Sequence, residues 1–175
     1  MAQGATVRQL TAQEAGASVG ALAAILIDCV EGGASVSFMA PLGRTKAEAF
    51  WRAVAAGVAA RTHALLVAEL HGEIVGTVHV VLGQPENQPH RADVSKMLVR
   101  RSARRQGLGA ALMRAAEEAA QRSDKTLLVL DTASAEAERL YECSGWIRVG
   151  IVPGYALLPD GVPCDTTFFY KQLVP

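Results

Sequence analysis

Residues 94 to 131 carry the pattern that most narrows the fold. Val94–Ser95–Lys96–Met97–Leu98–Val99 is an apolar-rich run, RRQGLG (residues 104–109) is a charged glycine turn, and an alanine-rich amphipathic stretch follows. In that stretch Leu108, Leu112, Ala115 and Ala119 share one stripe at helical spacing. Next comes Thr126–Leu–Leu–Val–Leu–Asp131, a nearly continuous apolar run that reads as a strand covered on both faces. Strand, turn, helix and strand in succession make a β–α–β unit, which demands a sheet with a helix layered on it.

The remaining segments extend that sheet. Residues 5–10 alternate like a short strand, and Thr11–Ala12–Gln13–Glu14 fits a capping box opening a helix that runs to about Val30, before Gly32–Gly33. Thr45–Lys46–Ala47–Glu48 repeats the capping signature and opens a second helix to about Ala60. Residues 63–70 and 73–82 read as a hairpin turning at His71–Gly72. A loop with Pro85, Asn87 and Pro89 leads to a strand at about 92–99. Ser134 caps a helix over 135–143 that Gly145 ends, and strands near 146–152 and 164–172 flank a loop from Pro153 to Gly161. The order predicts an α/β fold: a mixed sheet of about seven strands with helices on both faces, in a single domain over residues 1–175.

Charge and cysteine usage exclude several classes of function. Lys plus Arg and Asp plus Glu both number 17, so no bulk charge holds the chain to nucleic acid or a membrane surface. The local cluster Arg100, Arg101, Arg104 and Arg105 has no interleaved aromatics, as a single-strand nucleic-acid binder would need. Cys29, Cys143 and Cys164 are widely spaced and odd in number, which predicts reduced thiols and a cytoplasmic protein. His63, His71, His79 and His90 lack ligand spacing, so no metal site is expected. The apolar stretch Ala21–Ile27 is too short for a span, and no membrane association is expected.

The RRQGLG turn is the chemical feature of the chain. A helix N-terminus leaves four amides unpaired and carries the positive end of the helix dipole, and Gly107 and Gly109 bring bare backbone close to a ligand. Such a turn holds phosphate oxygens, with Arg104 and Arg105 adding charge. It is no Walker loop, since no lysine follows Gly109, and no dinucleotide fingerprint, since position 112 is Leu.

Val99, Arg104, Gly107 and Gly109 fit V-x(4)-[RQ]-x-x-G-x-[GA], and downstream Ala137, Leu140, Tyr141, Gly145 and Trp146 fit A-x-x-L-Y-x-x-x-G-[FW]. Together with the element order, these resemble the GNAT N-acetyltransferases over almost the whole chain. Arg101 replaces that family's common proline, and Ser134 stands where many members have asparagine. A narrower likeness joins Glu31–Met39, Arg91–Ala–Asp93 and Pro153–Gly161 to tabtoxin-resistance acetyltransferases, which acetylate an amine on a small β-lactam amino-acid toxin.

The resemblance implies acetyl-CoA as cosubstrate and direct transfer to a primary amine of a small molecule, possession of a metal not being required. Arg104, Arg105, Gln106, Gly107, Leu108, Gly109 and Ala110 would hold the pyrophosphate. Met97, Leu98 and Val99 would pair with pantetheine amides at a splay between the fourth and fifth strands, and Ser134 would contact CoA. The amine must lose a proton to attack, and a carboxylate can take it. Asp93 and Asp131, at strand ends, are the candidates, with His90 a weaker one. Tyr141 would protonate the leaving thiolate, and Cys143 is no nucleophile because direct transfer needs none. The acceptor pocket is expected from Glu31–Met39, the 83–91 loop and Pro153–Gly161, with Glu31 or Asp160 available to a cationic substrate. Rival readings are an acetyl-CoA sensor without turnover and a transferase acting on a protein or peptide amine. The assembly expected is a monomer or homodimer.

Overall fold

The structure is a computed structural model and describes residues 4–173. Its strands are β1 (Ala5–Gln9), β2 (His63–Leu70), β3 (Glu73–Val81), β4 (Arg91–Val99), β5 (Leu127–Thr132), β6 (Ile147–Leu157) and β7 (Pro163–Gln172). Its helices are α1 (Ala12–Ala17), α2 (Val19–Glu31), α3 (Arg44–Ala59), α4 (Leu108–Gln121) and α5 (Ala135–Cys143), with a 3-10 turn at Arg101–Ala103. Among the described residues the strands form one seven-stranded sheet in the order β1-β2-β3-β4-β5-β7-β6. β4 and β5 run parallel, and the other neighbours are antiparallel. This is the mixed α/β architecture the element order predicts.

Strand alternation divides the core into two. Leu65, Val67 and Leu98 pack under α1, α2 and α3 around fully buried Trp51. Leu66, Val78, Val80, Val94, Leu128 and Leu130 face α4, whose apolar stripe includes Leu108, Leu112 and Ala116. Thr11 forms the expected capping box, its hydroxyl accepting from Glu14 N while the Glu14 carboxylate accepts from Thr11 N at 2.8 Å. Among the described residues, no helix is long and apolar enough to cross a membrane.

Four local expectations are corrected. The helix from residue 12 to 30 is broken at Ser18, whose N–H closes α1 on the Glu14 carbonyl while the chain turns into α2. Glu48 does not cap α3: Arg44 and Arg52, one turn to either side, each hold its carboxylate at 2.7 Å, and the helix starts at Arg44 after Gly43. β5 is covered on one face. Leu128 and Leu130 are buried, but Leu127 and Val129 are half-buried and Asp131 is open, because α1–α3 pack over the β1–β4 half of the sheet. β6 continues to Leu157 through a bulge at Pro153–Tyr155, where Gly154 at φ 59° donates its N–H to Asp165 Oδ1 at 2.9 Å.

The parallel ladder positions the site. β4 and β5 pair only from Arg91↔Leu127 to Asp93↔Val129. Beyond that point β4 stays with β3 as far as Val99↔Gly76, and β5 stays with β7 as far as Thr132↔Thr167. The two strands diverge, and a bulge in β4 sharpens the divergence. Ser95 and Leu98 oppose His79 and Thr77, so Lys96 and Met97 face a single residue of β3, and Lys96 takes φ 51°.

His79, next to that bulge, is 5% exposed and stacks on His63 with ring centroids 4.7 Å apart. Neither of its ring nitrogens has a hydrogen-bond partner among the described residues. Burial, with the charges of His63 and Lys96, brings its pKa down to about 3 from 6.5. The folded state therefore keeps the ring neutral, while the unfolded chain takes up a proton near pH 6.5. The resulting stability is complete above about pH 6.5 and is lost as pH falls toward 3. Thermal melting across this range should show wild type losing stability with acid and His79→Phe, which keeps a ring against His63, losing less. Parallel curves would exclude the His79 imidazole as the acid-sensitive group.

Candidate active site

The divergence of β4 and β5 opens a cleft of about 720 Å³. Its length is lined by β4 from Val94 to Val99, by the start of α4, by Asp131 at the end of β5, and by Ser134 and Tyr141 beyond it. A cleft between strands that have stopped pairing exposes backbone polar groups that neither strand satisfies for the other.

At one end lies the glycine turn. Arg105 and Gly107 both take the left-handed region, at φ 61° and 77°, and Gly107 is the N-cap of α4 without a side-chain cap. The first α4 amide with a backbone acceptor is Ala111, bonded to the Gly107 carbonyl at 3.2 Å. Leu108, Gly109 and Ala110 thus offer unpaired N–H groups, the concentration of positive dipole an anion needs. Gly109 serves close packing: a Cβ there would sit 3.1 Å from Leu140 and 3.6 Å from Met97. Arg104 donates through Nε to the Val99 carbonyl at 3.2 Å, tying the turn to the end of β4. Arg101, the departure from the family proline, donates to Asp28 of α2 through its backbone N at 2.8 Å and Nε at 2.9 Å.

The other wall is built by α5. Ser134 caps it, accepting from Ala137 N at 3.3 Å, and so holds a polar oxygen at the cleft. Tyr141 is buried, with its ring against Phe169 at 5.7 Å and Trp146 at 6.1 Å. Trp146 Nε1 donates to Glu117 of α4 at 3.0 Å, and Lys171 of β7 donates to the same carboxylate at 2.7 Å, which locks α5 between helix and sheet. Burial, and secondarily the Asp131 charge, raises the Tyr141 pKa, so the phenol stays protonated at neutral pH. Asp131 opens onto the cleft from the end of β5, yet enough protein surrounds it that desolvation raises its pKa. Lys96 opposes that rise and Asp93 adds to it.

Most of the residues expected from sequence converge here. Met97, Leu98, Val99, Arg104, Arg105, Gly107, Leu108, Gly109, Ala110, Asp131, Ser134 and Tyr141 all line the cleft. Gln106 and Asp93 do not; Asp93 instead pairs with Arg91 and accepts from Gln84 Nε2 at 3.0 Å. A smaller pocket of about 310 Å³ shares Asp131 with the main cleft and is walled by Ser35–Met39 and Tyr155–Leu157. The 83–91 loop lines neither space, and Asp160 is turned to Val162 N at 3.1 Å. Ser37, within the expected Glu31–Met39 stretch, lines the main cleft, as does Lys96, which carries no local sequence signal. Among the described residues no three His, Cys, Asp or Glu side chains cluster as metal ligands.

The family model described as Acetyltransferase (GNAT) family matches residues 34–146, and the chain belongs to that family of acetyl-CoA-dependent acetyltransferases. Solved structures share the fold. The Salmonella typhimurium protein yncA with its cofactor acetyl-CoA has a TM-score of 0.80 at 20% identity, over 98% of this chain and 95% of that one. Ribosomal-protein-alanine N-acetyltransferase from Brucella melitensis has a TM-score of 0.80 at 23% identity, over 96% and 99%. A phosphinothricin acetyltransferase from Sinorhizobium meliloti in complex with AcCoA has a TM-score of 0.80 at 16% identity, over 98% and 89%.

The unpaired α4 amides and the uncapped Gly107 fit an acidic phosphate group, as acetyl-CoA requires. Acetyl-CoA should therefore raise the melting temperature, since a ligand bound only by the native state stabilises it. Gly107→Glu places a strained side chain and a negative charge in the turn and should abolish the shift. Gly107→Asn, whose residue tolerates the left-handed region, should retain much of it. A full shift in folded Gly107→Glu would remove the turn from the binding site.

Proposed function

We propose that the chain transfers the acetyl group of acetyl-CoA directly to a primary amine of a small molecule. The observation carrying this reading is that one cleft holds the phosphate-binding turn at one end and Asp131 with Tyr141 at the other. Arg104, Arg105 and the amides of Leu108–Ala110 would anchor the pyrophosphate, and the free edge of Met97–Val99 the pantetheine. Acetyl-CoA supplies, when bound, an activated acyl group with a thiol as its leaving group.

The chain's own groups manage protons. Asp131 takes one from the acceptor amine, and its raised pKa brings it closer to neutrality, where a general base is most effective. Tyr141, kept protonated, donates to the departing sulfur. Asp93, held by Arg91 outside the cleft, acts on Asp131 through its charge. No enzyme nucleophile is required.

The size of the acceptor-side pocket, about 310 Å³, suits a small acceptor. Its walls come from two of the stretches that resemble tabtoxin-resistance acetyltransferases. They are joined by Ala40 N to the Pro159 carbonyl at 2.9 Å and by Ser35 Oγ to the Leu157 carbonyl at 3.2 Å. An amino-acid-like toxin or antibiotic is the acceptor class this favours. Unpaired Cys29, Cys143 and Cys164 suit a cytoplasmic setting. The homodimer is the assembly we favour. Apart from Met39, the large apolar side chains left exposed among the described residues all lie between Ile147 and Val162. Apolar side chains exposed together on one segment are what a second copy of the chain would cover.

Mass spectrometry of an amine panel, including β-lactam amino acids, after incubation with protein and acetyl-CoA tests the reading. Acetylated small amines are expected; acetylation confined to proteins or peptides would contradict it. Asp131→Asn should lower kcat/KM by about 10²–10⁴-fold near neutrality, with the deficit shrinking as rising pH supplies free amine. Tyr141→Phe should cost about 10²-fold in single-turnover rate with acetyl-CoA affinity preserved, and a loss under threefold would leave Tyr141 a packing residue. In sedimentation, wild type should run at twice the chain mass and Val149→Glu, changed at a position 68% exposed, at the chain mass. A monomeric wild type would dismiss the dimer.

A further inference from the structure

Two residues of the cleft lining that are not glycine, on different elements, adopt the left-handed region, and their side chains meet. Ser37 lies at φ 72° in the segment after α2, and Lys96 lies at φ 51° in the β4 bulge. Lys96 Nζ donates to Ser37 Oγ at 3.2 Å and to Ser95 Oγ at 3.4 Å, and stands 5.6 Å from the Phe50 ring centre. Backbone strain of this kind persists where surrounding structure imposes it, and it concentrates at ligand sites.

Lys96 is half-buried and has no carboxylate within 4.0 Å among the described residues. Burial lowers its pKa, and the charge that opposes this is Asp131, acting from beyond ion-pair distance. Because the two serine oxygens accept from the ammonium, their own hydroxyl protons remain free to donate. The ammonium and the two hydroxyls therefore stand together with no carboxylate in ion-pair contact, a costly arrangement for a partly desolvated cation.

We propose that Lys96, Ser37 and Ser95 form a subsite for an anionic group carried by the acceptor, a carboxylate or another oxyanion. This rests on the small-amine reading above and narrows it. The acceptor then spans the cleft with its amine toward Asp131 and its acid toward Lys96, so the substrate is zwitterionic. The bulge gives the geometry: by adding a residue to β4 it turns Lys96 toward the segment that carries Ser37, where an unbulged strand would continue its alternation.

The test pairs acids with the amines left when the carboxylate is removed: L-phenylalanine with phenethylamine, and L-methionine with 3-(methylthio)propylamine. The 1-aminophosphonate analogues distinguish carboxylate from other oxyanions. Thermal shift of the protein alone should respond to the acids and not to the decarboxylated amines. Lys96→Met, which keeps an unbranched stem on Phe50, should lose that response while retaining the shift by acetyl-CoA, and Lys96→Arg should regain part of it. In turnover, Lys96→Met should raise KM for the acids by about 10- to 100-fold relative to KM for the decarboxylated amines, whereas the change in Asp131 that follows loss of the Lys96 charge falls on kcat for both members of a pair alike. A wild type that does not prefer acids, or a Lys96→Met protein that is less stable but keeps the preference, overturns the subsite and leaves Lys96 a tether for the Ser37 segment. If acids bind through Lys96 but no amine is acetylated, the subsite stands and the transferase reading of the acceptor fails.

Discussion

The structure depends on a parallel ladder that stops early. β4 and β5 share three residue pairs and then separate, although each continues to pair on its other side. Backbone groups that a sheet would normally satisfy are left facing one another across a gap. The gap can persist because its margins are held from outside: Arg104 closes onto the Val99 carbonyl, and Glu117 ties Trp146 and Lys171 together behind α5. A cleft built this way is tied down on both sides and edged by backbone polar groups. It can receive an extended ligand with amide groups without first unfolding anything.

Charge is distributed along this opening rather than over the molecule. The chain has equal numbers of basic and acidic residues. One end of the cleft nevertheless concentrates Arg104, Arg105 and the unpaired amides of α4, while the other sets Asp131 against Lys96. Local arrangement of this sort lets a protein without net charge bind a polyanionic cosubstrate. It also sets Asp131, the base we propose, apart from the turn we propose as the phosphate anchor.

Features governed by neighbours in sequence were legible in the sequence. The capping box at Thr11 and Glu14, the left-handed turn at His71–Gly72 and the helix start after Gly107 are all decided within a few residues. Features governed by packing were not. Glu48 satisfies a capping pattern, but flanking arginines offer it a better partner. The run from Thr126 to Asp131 looks buried on both faces, yet how far α1–α3 extend over the sheet decides that, and they leave Asp131 open. Asp93 and Asp131 look alike at strand ends, and what separates them is the hold of Arg91 and Gln84 on Asp93 and the cleft that Asp131 lines. Lys96 and Ser37 are 59 positions apart, and the bulge that brings them together depends on the register of β3 against β4.

The central claim is that the opening between β4 and β5 is the acetyl-CoA site. Hydrogen exchange of backbone amides with and without acetyl-CoA tests it most directly. Acetyl-CoA should slow exchange in Met97–Val99 and in Leu108–Ala110 and leave the hairpin at His71–Gly72 unchanged. Protection that appears elsewhere while these two segments exchange as before would contradict it.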